Sequence, residues 1–135
     1  MKGSCHCGRV TIEVARRPDY LNQCNCTLCV KLAGLWAYYS QAEVEIVGET
    51  RAYRRADMDP PMLGTHFCPD CGATTHWAPT EHFKADRTGI NMRLFEPEEL
   101  LGIEVRYGDK RGPDYDGERR YARAPTIFGE TGLTA

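Results

Sequence analysis

The sequence predicts a mostly β fold made of short antiparallel strands organised around bound metal. Segments 10–14, 90–94 and 103–107 alternate apolar and polar residues with the two-residue period of a strand buried on one face. Seven cysteines fall within the first 71 of 135 residues, in short groups that are typical of metal sites. A chain of this length has the size of one domain.

Three further strands are predicted from β-branched and aromatic residues. Segment 35–39 is aromatic, segment 44–47 is stopped by Gly48, and segment 51–54 follows after a short turn. The Pro-Pro pair within 56–61 predicts a loop, and this loop leads into a strand that carries His66 and Phe67. The segments are therefore short and are separated by turns.

Only two segments are predicted to be helical. One is a turn or so within 26–32, and the other is 97–101, where a proline and two glutamates open the helix and Gly102 ends it. From Lys110 onward no strand or helix is evident before position 126. We therefore predict a metal-binding domain over 1–109 and an irregular tail over 110–135 that wraps over the domain or a partner.

Composition narrows the class of protein. The chain has 17 basic and 19 acidic residues, which gives no electrostatic footprint for nucleic acid. No apolar stretch approaches the roughly 20 residues of a membrane span, and positions 1–4 lack the apolar run of a signal peptide. We expect a soluble, cytoplasmic protein with reduced thiols, and a homodimer is compatible with this composition.

The cysteine groups predict two metal sites. A structural zinc takes four protein ligands and a catalytic zinc takes three, so seven thiolates divide naturally into four plus three. An odd count argues against a disulfide framework, and closely spaced cysteines are a poor fit to isolated core thiols. Iron suits tetrahedral sulfur as well as zinc does, so spacing alone does not name the metal. The three groups are Cys5 and Cys7; Cys24, Cys26 and Cys29; and Cys68 and Cys71.

Two partitions of these cysteines are open. Segment 68–72 has the form of a zinc knuckle, with Gly72 free to adopt a positive φ. Its second cysteine pair could come from 26–29, as in a zinc ribbon, or from 5–7. The second choice is chemically tidier, because it leaves three thiolates within six residues on one loop. Spacing by itself does not decide between the two.

Three motifs in order resemble the glutathione-dependent formaldehyde-activating enzyme family, also called the centromere protein V and formaldehyde-activating domain. They are Gly-Ser-Cys-His-Cys-Gly at 3–8, Cys-Asn-Cys-Thr-Leu-Cys at 24–29, and His-Phe-Cys-Pro-Asp-Cys-Gly at 66–72. The resemblance covers roughly 3–106. It implies a β-tent similar to Mss4-like proteins. It also implies a structural zinc on Cys5, Cys7, Cys68 and Cys71 and a catalytic zinc on Cys24, Cys26 and Cys29.

A zinc ion held by three thiolates carries a formal charge of −1 and is suited to a soft thiol as its fourth ligand. The resemblance implies a carbon–sulfur lyase that adds glutathione to formaldehyde and forms S-hydroxymethylglutathione. Lys31 is the cation nearest in sequence to the three-cysteine loop, so we expect it to bind a glutathione carboxylate. The alternatives are a non-enzymatic Mss4-like interaction module and a redox-responsive or zinc-buffering thiol protein.

Other residues are ambiguous in the sequence. The aromatic residues after the three-cysteine loop suit the sheet core, although alternate members of one strand must face opposite ways. Among the histidines, His6, His76 and His82 suit surface positions as well as catalysis or proton transfer, and His66 suits a core position as well as metal support. The arginines suit solvated surface charges as well as carboxylate binding. The aromatics are Trp36, Tyr38 and Tyr39; the histidines are His6, His66, His76 and His82; and the arginines are Arg54 and Arg55.

Overall fold

The computed structural model describes residues 1–111 and 117–132, and its strands form two sheets. The smaller sheet has three antiparallel strands in the order β1-β2-β5. Its central strand pairs Ile12 with Gly3 on one side and with Ile46 on the other. The bounds are β1 Lys2–Ser4, β2 Thr11–Val14 and β5 Val44–Val47.

The larger sheet has eight strands in the order β11-β10-β3-β4-β9-β8-β7-β6. Their bounds are β3 Leu21–Asn22, β4 Trp36–Tyr39, β6 Arg51–Arg54, β7 Leu63–Phe67, β8 Thr74–Pro79, β9 Thr88–Asn91, β10 Glu104–Arg106 and β11 Thr126–Ile127. The mostly β prediction is confirmed.

Helices are short. The α-helices are α1 Cys29–Leu32 and α2 Pro97–Leu100, and 3₁₀ turns span Gln41–Glu43 and Met92–Leu94. Both predicted helical segments are confirmed, and α2 has the predicted proline at its start with Gly102 at a φ of 84° just after it. None of the helices in the described residues has the length and apolar character needed to cross a membrane.

The hydrophobic core lies between the two sheets. The buried residues Ile12 and Val14 of the small sheet belong to one cluster with Ala37, Tyr39 and Ile90 of the large sheet. Cross-strand register explains this arrangement, because Ala37 pairs with Ile90 and the two side chains must point to the same face. The opposite face of the large sheet therefore points away from this core.

Two strand predictions need correction. The alternation over 90–94 predicted a strand, but β9 ends at Asn91 and a 3₁₀ turn follows, because the Asn91 side chain accepts a hydrogen bond from the N–H of Arg93 at 3.3 Å. Residues of β9 are buried on both faces rather than on one. In addition, β10 pairs antiparallel with β11 but runs parallel to β3, with Val105 opposite Leu21, so the antiparallel prediction for this segment holds for only one of its two neighbours.

The segment after Lys110 contributes to the core. Thr126–Ile127 adds to the edge of β10, and Phe128 is 5% exposed within the main core cluster. Residues 112–116 and 133–135 of the predicted tail lie outside the described residues. The domain boundary at position 109 stays a prediction.

Replacing Phe128 by alanine should show how much stability this segment contributes. Truncation of a buried phenylalanine costs about 3–5 kcal/mol. The neighbouring Ile127 is 41% exposed, so Ile127→Ala is the matched control and should cost less than about 1 kcal/mol. Urea unfolding of both variants measures the difference. Equal small losses would show that the segment is not part of the cooperative core.

Candidate functional site

Four cysteines from two hairpin turns come together in one cluster. Cys5 and Cys7 lie in the turn between β1 and β2, and Cys68 and Cys71 lie in the turn between β7 and β8. Their sulfur atoms all lie within 4.8 Å of one another. The Sγ–Sγ distance is 3.6 Å from Cys5 to Cys7 and 3.7 Å from Cys7 to Cys68. A tetrahedral ion with metal–sulfur bonds of about 2.3 Å separates its sulfurs by about 3.8 Å, so this cluster fits zinc.

The backbone of both turns directs N–H groups toward sulfur. Gly8 and Gly72 follow the second cysteine of each turn with φ values of 79° and 75°, which confirms the prediction for Gly72. The N–H of Val10 donates to Cys5 Sγ at 3.3 Å. N–H groups of Cys7 and Ala73 lower the pKa of the Cys71 thiol to about 6. These contacts favour thiolates, the form that binds a metal.

The other three cysteines form a second cluster, with Cys24 and Cys26 on the loop after β3 and Cys29 at the first residue of α1. The sulfurs of Cys24, Cys26 and Cys29 all lie within 4.8 Å of one another. The N–H of Cys26 donates to Cys24 Sγ at 3.5 Å, and the N–H of Cys29 donates to Cys26 Sγ at 3.3 Å. The loop thus wraps its own backbone around the sulfurs, and the structure groups the seven cysteines as four plus three.

Close contact between the three thiols favours charge on one of them. Hydrogen bonds from the thiols of Cys24 and Cys29 lower the pKa of Cys26. Contacts with the thiols of Cys24 and Cys26, together with burial, raise the pKa of Cys29, and the hydrogen bond with Cys26 raises the pKa of Cys24. Three negative charges at this distance repel one another strongly, so the cluster can carry three thiolates only with a cation among them. Its donor set suits a soft or borderline metal such as zinc.

Residues 106–110 hold the three-cysteine loop in place. The N–H of Asn25 donates to the carbonyl of Gly108 at 3.0 Å. The Asn25 side chain donates to Asp109 Oδ1 at 2.7 Å and accepts from the N–H of Lys110 at 2.8 Å. Sequence reasoning did not single out Asn25, since nothing local signals that its partners lie 84 positions away.

The three-cysteine cluster lines a cavity of about 600 Å³ on the second face of the large sheet. Trp36 and Tyr38 line it, whereas Ala37 and Tyr39 from the same strand pack in the core. The Tyr38 ring lies 6.0 Å from the Trp77 ring, and Gly89 is the residue between them in the sheet. A Cβ at Gly89 would lie only 1.9 Å from Trp77 Nε1, so the glycine allows the indole to cover the sheet.

The cavity wall carries basic side chains and no carboxylate among its described residues. The chain as a whole is slightly acidic, so this segregation of charge favours an anionic ligand. Lys31 is exposed near the end of α1 and is not one of the lining residues, and Arg54 is not one either. The basic residues of the wall are Arg55, Arg87, Lys110, Arg119 and Arg120.

The histidines lie elsewhere. His66 and His76 are a cross-strand pair with rings 4.2 Å apart, on the sheet face that bears Ile90 and away from the cavity. Burial, together with His66, lowers the pKa of His76 to about 3, so His76 is neutral at physiological pH. His76 is 6% exposed, which corrects its reading as a surface residue. His6 and His82 are exposed and do not line the cavity.

Comparison with known proteins assigns the chain to a family. The model of the family described as glutathione-dependent formaldehyde-activating enzyme matches residues 1–103. The chain belongs to this family. A crystal structure of a Rhodobacter sphaeroides protein, a structural genomics target, matches with a TM-score of 0.61 and 23% sequence identity. The match covers 79% of this chain and 99% of that one, and it shows the fold alone. No curated protein matches the chain at a significant level.

The family match includes all seven cysteines, but part of the cavity wall lies beyond it. Residues 1–103 supply both clusters and the aromatic residues Trp36, Tyr38 and Trp77. Lys110 and residues 119–121 line the same cavity from outside the matched range. The Gly108–Tyr121 bridge fixes this segment, with the N–H of Asp109 donating to the Arg120 carbonyl at 2.8 Å. Part of the cavity wall is thus supplied from outside the range that matches the family model.

Proposed function

We propose that this chain is a zinc-dependent carbon–sulfur lyase-type enzyme that joins glutathione to a small carbonyl compound such as formaldehyde. Membership of the family supports a glutathione-dependent, formaldehyde-activating function in general. The observation that carries the specific proposal is the three-cysteine cluster lining a basic and aromatic cavity. The three cysteines that would bind the metal ion therefore face a cavity that a small-molecule substrate can enter.

The two clusters receive different roles in this proposal. The cluster of Cys5, Cys7, Cys68 and Cys71 supplies four thiolates, which completes a tetrahedral shell and suits a structural zinc. The cluster of Cys24, Cys26 and Cys29 supplies three, which leaves a ligand position for substrate and suits a catalytic zinc. We also propose a cytoplasmic location, because both clusters need their cysteines in the reduced form and a reducing compartment keeps them so. A homodimer stays a prediction.

The reaction forms one bond and moves one proton. The thiol sulfur bonds to the carbonyl carbon, the C=O double bond becomes a single bond, and the proton released by the thiol ends on the oxygen. Cys24, Cys26 and Cys29 would hold the zinc ion, which would supply Lewis-acid chemistry and lower the pKa of a thiol at this site. Trp36, Tyr38 and Trp77 pack in one apolar cluster with Cys24 and Cys26 and give this side of the cavity an apolar wall.

The basic wall would hold the two carboxylates of glutathione. Arg87 lies over the Tyr38 ring, 4.1 Å from its centroid, so its guanidinium is positioned within the cavity wall. Lys110 and Arg119 add positive charge from the segment beyond the family match. Lys31 stays a candidate for the same role, although the lining residues are better placed for it.

The two zinc roles predict opposite effects on stability. A structural zinc contributes about 10–16 kcal/mol in small peptides, which rivals the whole net stability of a domain at about 5–15 kcal/mol. Cys71→Ser should therefore give unfolded or insoluble protein. Cys26→Ala is the matched control and should stay folded, because its metal closes only a short loop. Thermal melts followed by circular dichroism compare the two, and a Cys71→Ser variant with an unchanged melting temperature would contradict the structural role.

Thiol ligation predicts a strict dependence on the free sulfur. Calorimetric titration of the zinc-loaded protein with glutathione, S-methylglutathione and glutathione disulfide should give tight binding for glutathione alone. We expect at least about a tenfold difference in Kd, because only a free thiol can become the fourth zinc ligand. Equal affinity for all three ligands, or none for any, would favour the protein-interaction module instead.

Charge reversal separates the lining cations from Lys31. Arg87→Glu should weaken glutathione binding at least about tenfold, because a charge-assisted contact is replaced by repulsion. Lys31→Glu changes the charge by the same amount outside the cavity wall and should have less than about a twofold effect in 0.15 M salt. Calorimetry on both variants, with circular dichroism as a check on folding, gives the comparison. A larger effect at Lys31 would place the carboxylate site on α1.

A further inference from the structure

Arg55 belongs to a hydrogen-bonded triangle that joins the loop after β6 to the three-cysteine loop. Its Nε donates to Asp57 Oδ1 at 2.6 Å and its Nη2 donates to Asp57 Oδ2 at 2.8 Å. Nη2 also donates to Thr27 Oγ1 at 3.1 Å, and Thr27 Oγ1 donates to Asp57 Oδ2 at 2.6 Å. Each member of the triangle therefore contacts the other two, which fixes the guanidinium in one position.

The position of the triangle brings a positive charge to the metal ligands. Thr27 directly follows Cys26 in the chain, and both Arg55 and Cys26 line the cavity. The Arg55 side chain is 17% exposed, whereas the Asp57 side chain is 50% exposed. Water consequently screens the charge of the carboxylate more than the charge of the guanidinium. The electrostatic potential on the cavity side of the pair is therefore positive.

The hydrogen bond to Thr27 places the guanidinium beside the three-cysteine loop, because Thr27 is the residue next to Cys26. An arginine side chain keeps its positive charge at physiological pH, so a fixed positive charge lies next to the cysteine ligands. Partners outside the first ligand shell fix the geometry of a metal site and tune the metal.

We propose that Arg55 is a positioning residue for the three-cysteine metal site, where its charge offsets the negative charge of the thiolates and its hydrogen bonds hold the loop. The inference rests on the proposed function and deepens it. Three thiolates around zinc leave a formal charge of −1, and a fourth thiolate brings it to −2. A fixed guanidinium beside Cys26 lowers the electrostatic cost of that last ligand, so the site can accept an anionic thiol.

Arg54 provides a matched control in the next position. It makes the same kind of two-pronged contact with a carboxylate, through Nη1 and Nη2 to Glu81 at 2.8 Å each. Its side chain is 51% exposed and it does not line the cavity. Removing its charge therefore changes an arginine–carboxylate pair of similar geometry without changing the field at the cysteines.

Cobalt(II) substitution of the full chain tests the proposal without relying on activity. The sulfur-to-cobalt charge-transfer band moves an electron off the thiolate, and a nearby positive charge opposes that transfer. Arg55→Gln should therefore move the band to longer wavelength and weaken glutathione binding on the order of tenfold. Arg54→Gln should change neither. The four-cysteine cluster contributes the same bands to every variant, so the difference spectrum isolates the other site.

Arg55→Lys separates charge from hydrogen bonding, because lysine keeps the charge but cannot form the fork. If the band stays near its native position in Arg55→Lys but not in Arg55→Gln, the electrostatic role is supported. Retention of cobalt at the three-cysteine site in the lysine variant alone supports it as well. Loss of cobalt there from both variants, or an unshifted band in Arg55→Gln, would overturn it. Failure of the native protein to bind glutathione would instead count against the proposed function, and the band comparison would still decide the role of Arg55.

Discussion

The four-cysteine cluster is the constraint on which the two-sheet arrangement depends. Each of its two pairs lies in a hairpin turn, one in the small sheet and one in the large sheet. Cys7 and Cys68 are 61 positions apart in sequence, and their sulfurs are 3.7 Å apart. Both Cys5 and Cys68 are at most 1% exposed, and the buried Val10 packs with them. Without a cation, these thiols would have to share protons at short distance. A metal ion bound by the four thiolates offsets their mutual repulsion and links the two sheets.

Register then gives the two faces of the large sheet different functions. Ala37, Ile90 and His76 form one cross-strand row and face the core. Tyr38, Gly89 and Trp77 form the adjacent row and face the cavity. A shift of one residue would exchange the rows and bury the cavity wall in the core. The metal connection and the strand register together explain why a small chain can carry both a packed core and a ligand cavity.

The sequence was most informative where the signal is local. Alternation over 10–14 predicted the buried residues Ile12 and Val14. The cysteine spacing predicted a four-plus-three division with two possible partitions, and the structure shows one of these two. Three strands were missed for physical reasons. β1 and β3 have only three and two residues, too few to show a period, and β8 has the sequence Thr-Thr-His-Trp-Ala-Pro, which lacks clear alternation and ends in proline. Whether a β strand is parallel, as in β10, is a property of its partner rather than of its own residues.

The cavity wall was the least predictable feature, because it is assembled from segments far apart in the chain. Arg87 lies in the connection between β8 and β9, and Lys110 and Arg119 come from the segment beyond the family match. Nothing in their local sequence distinguishes them from solvated surface charges. Sequence proximity pointed to Lys31, which is exposed on α1 and is not one of the lining residues, and its role in binding stays a prediction.

The central claim is that the seven cysteines form two metal sites with different tasks. Zinc content per folded chain, measured by plasma mass spectrometry on the native protein and on Cys26→Ala, tests it most directly. The account predicts two zinc ions in the native protein and one in the variant, since Cys26 belongs only to the three-cysteine cluster. A single zinc ion in both proteins, or the loss of all zinc from the variant, would contradict it.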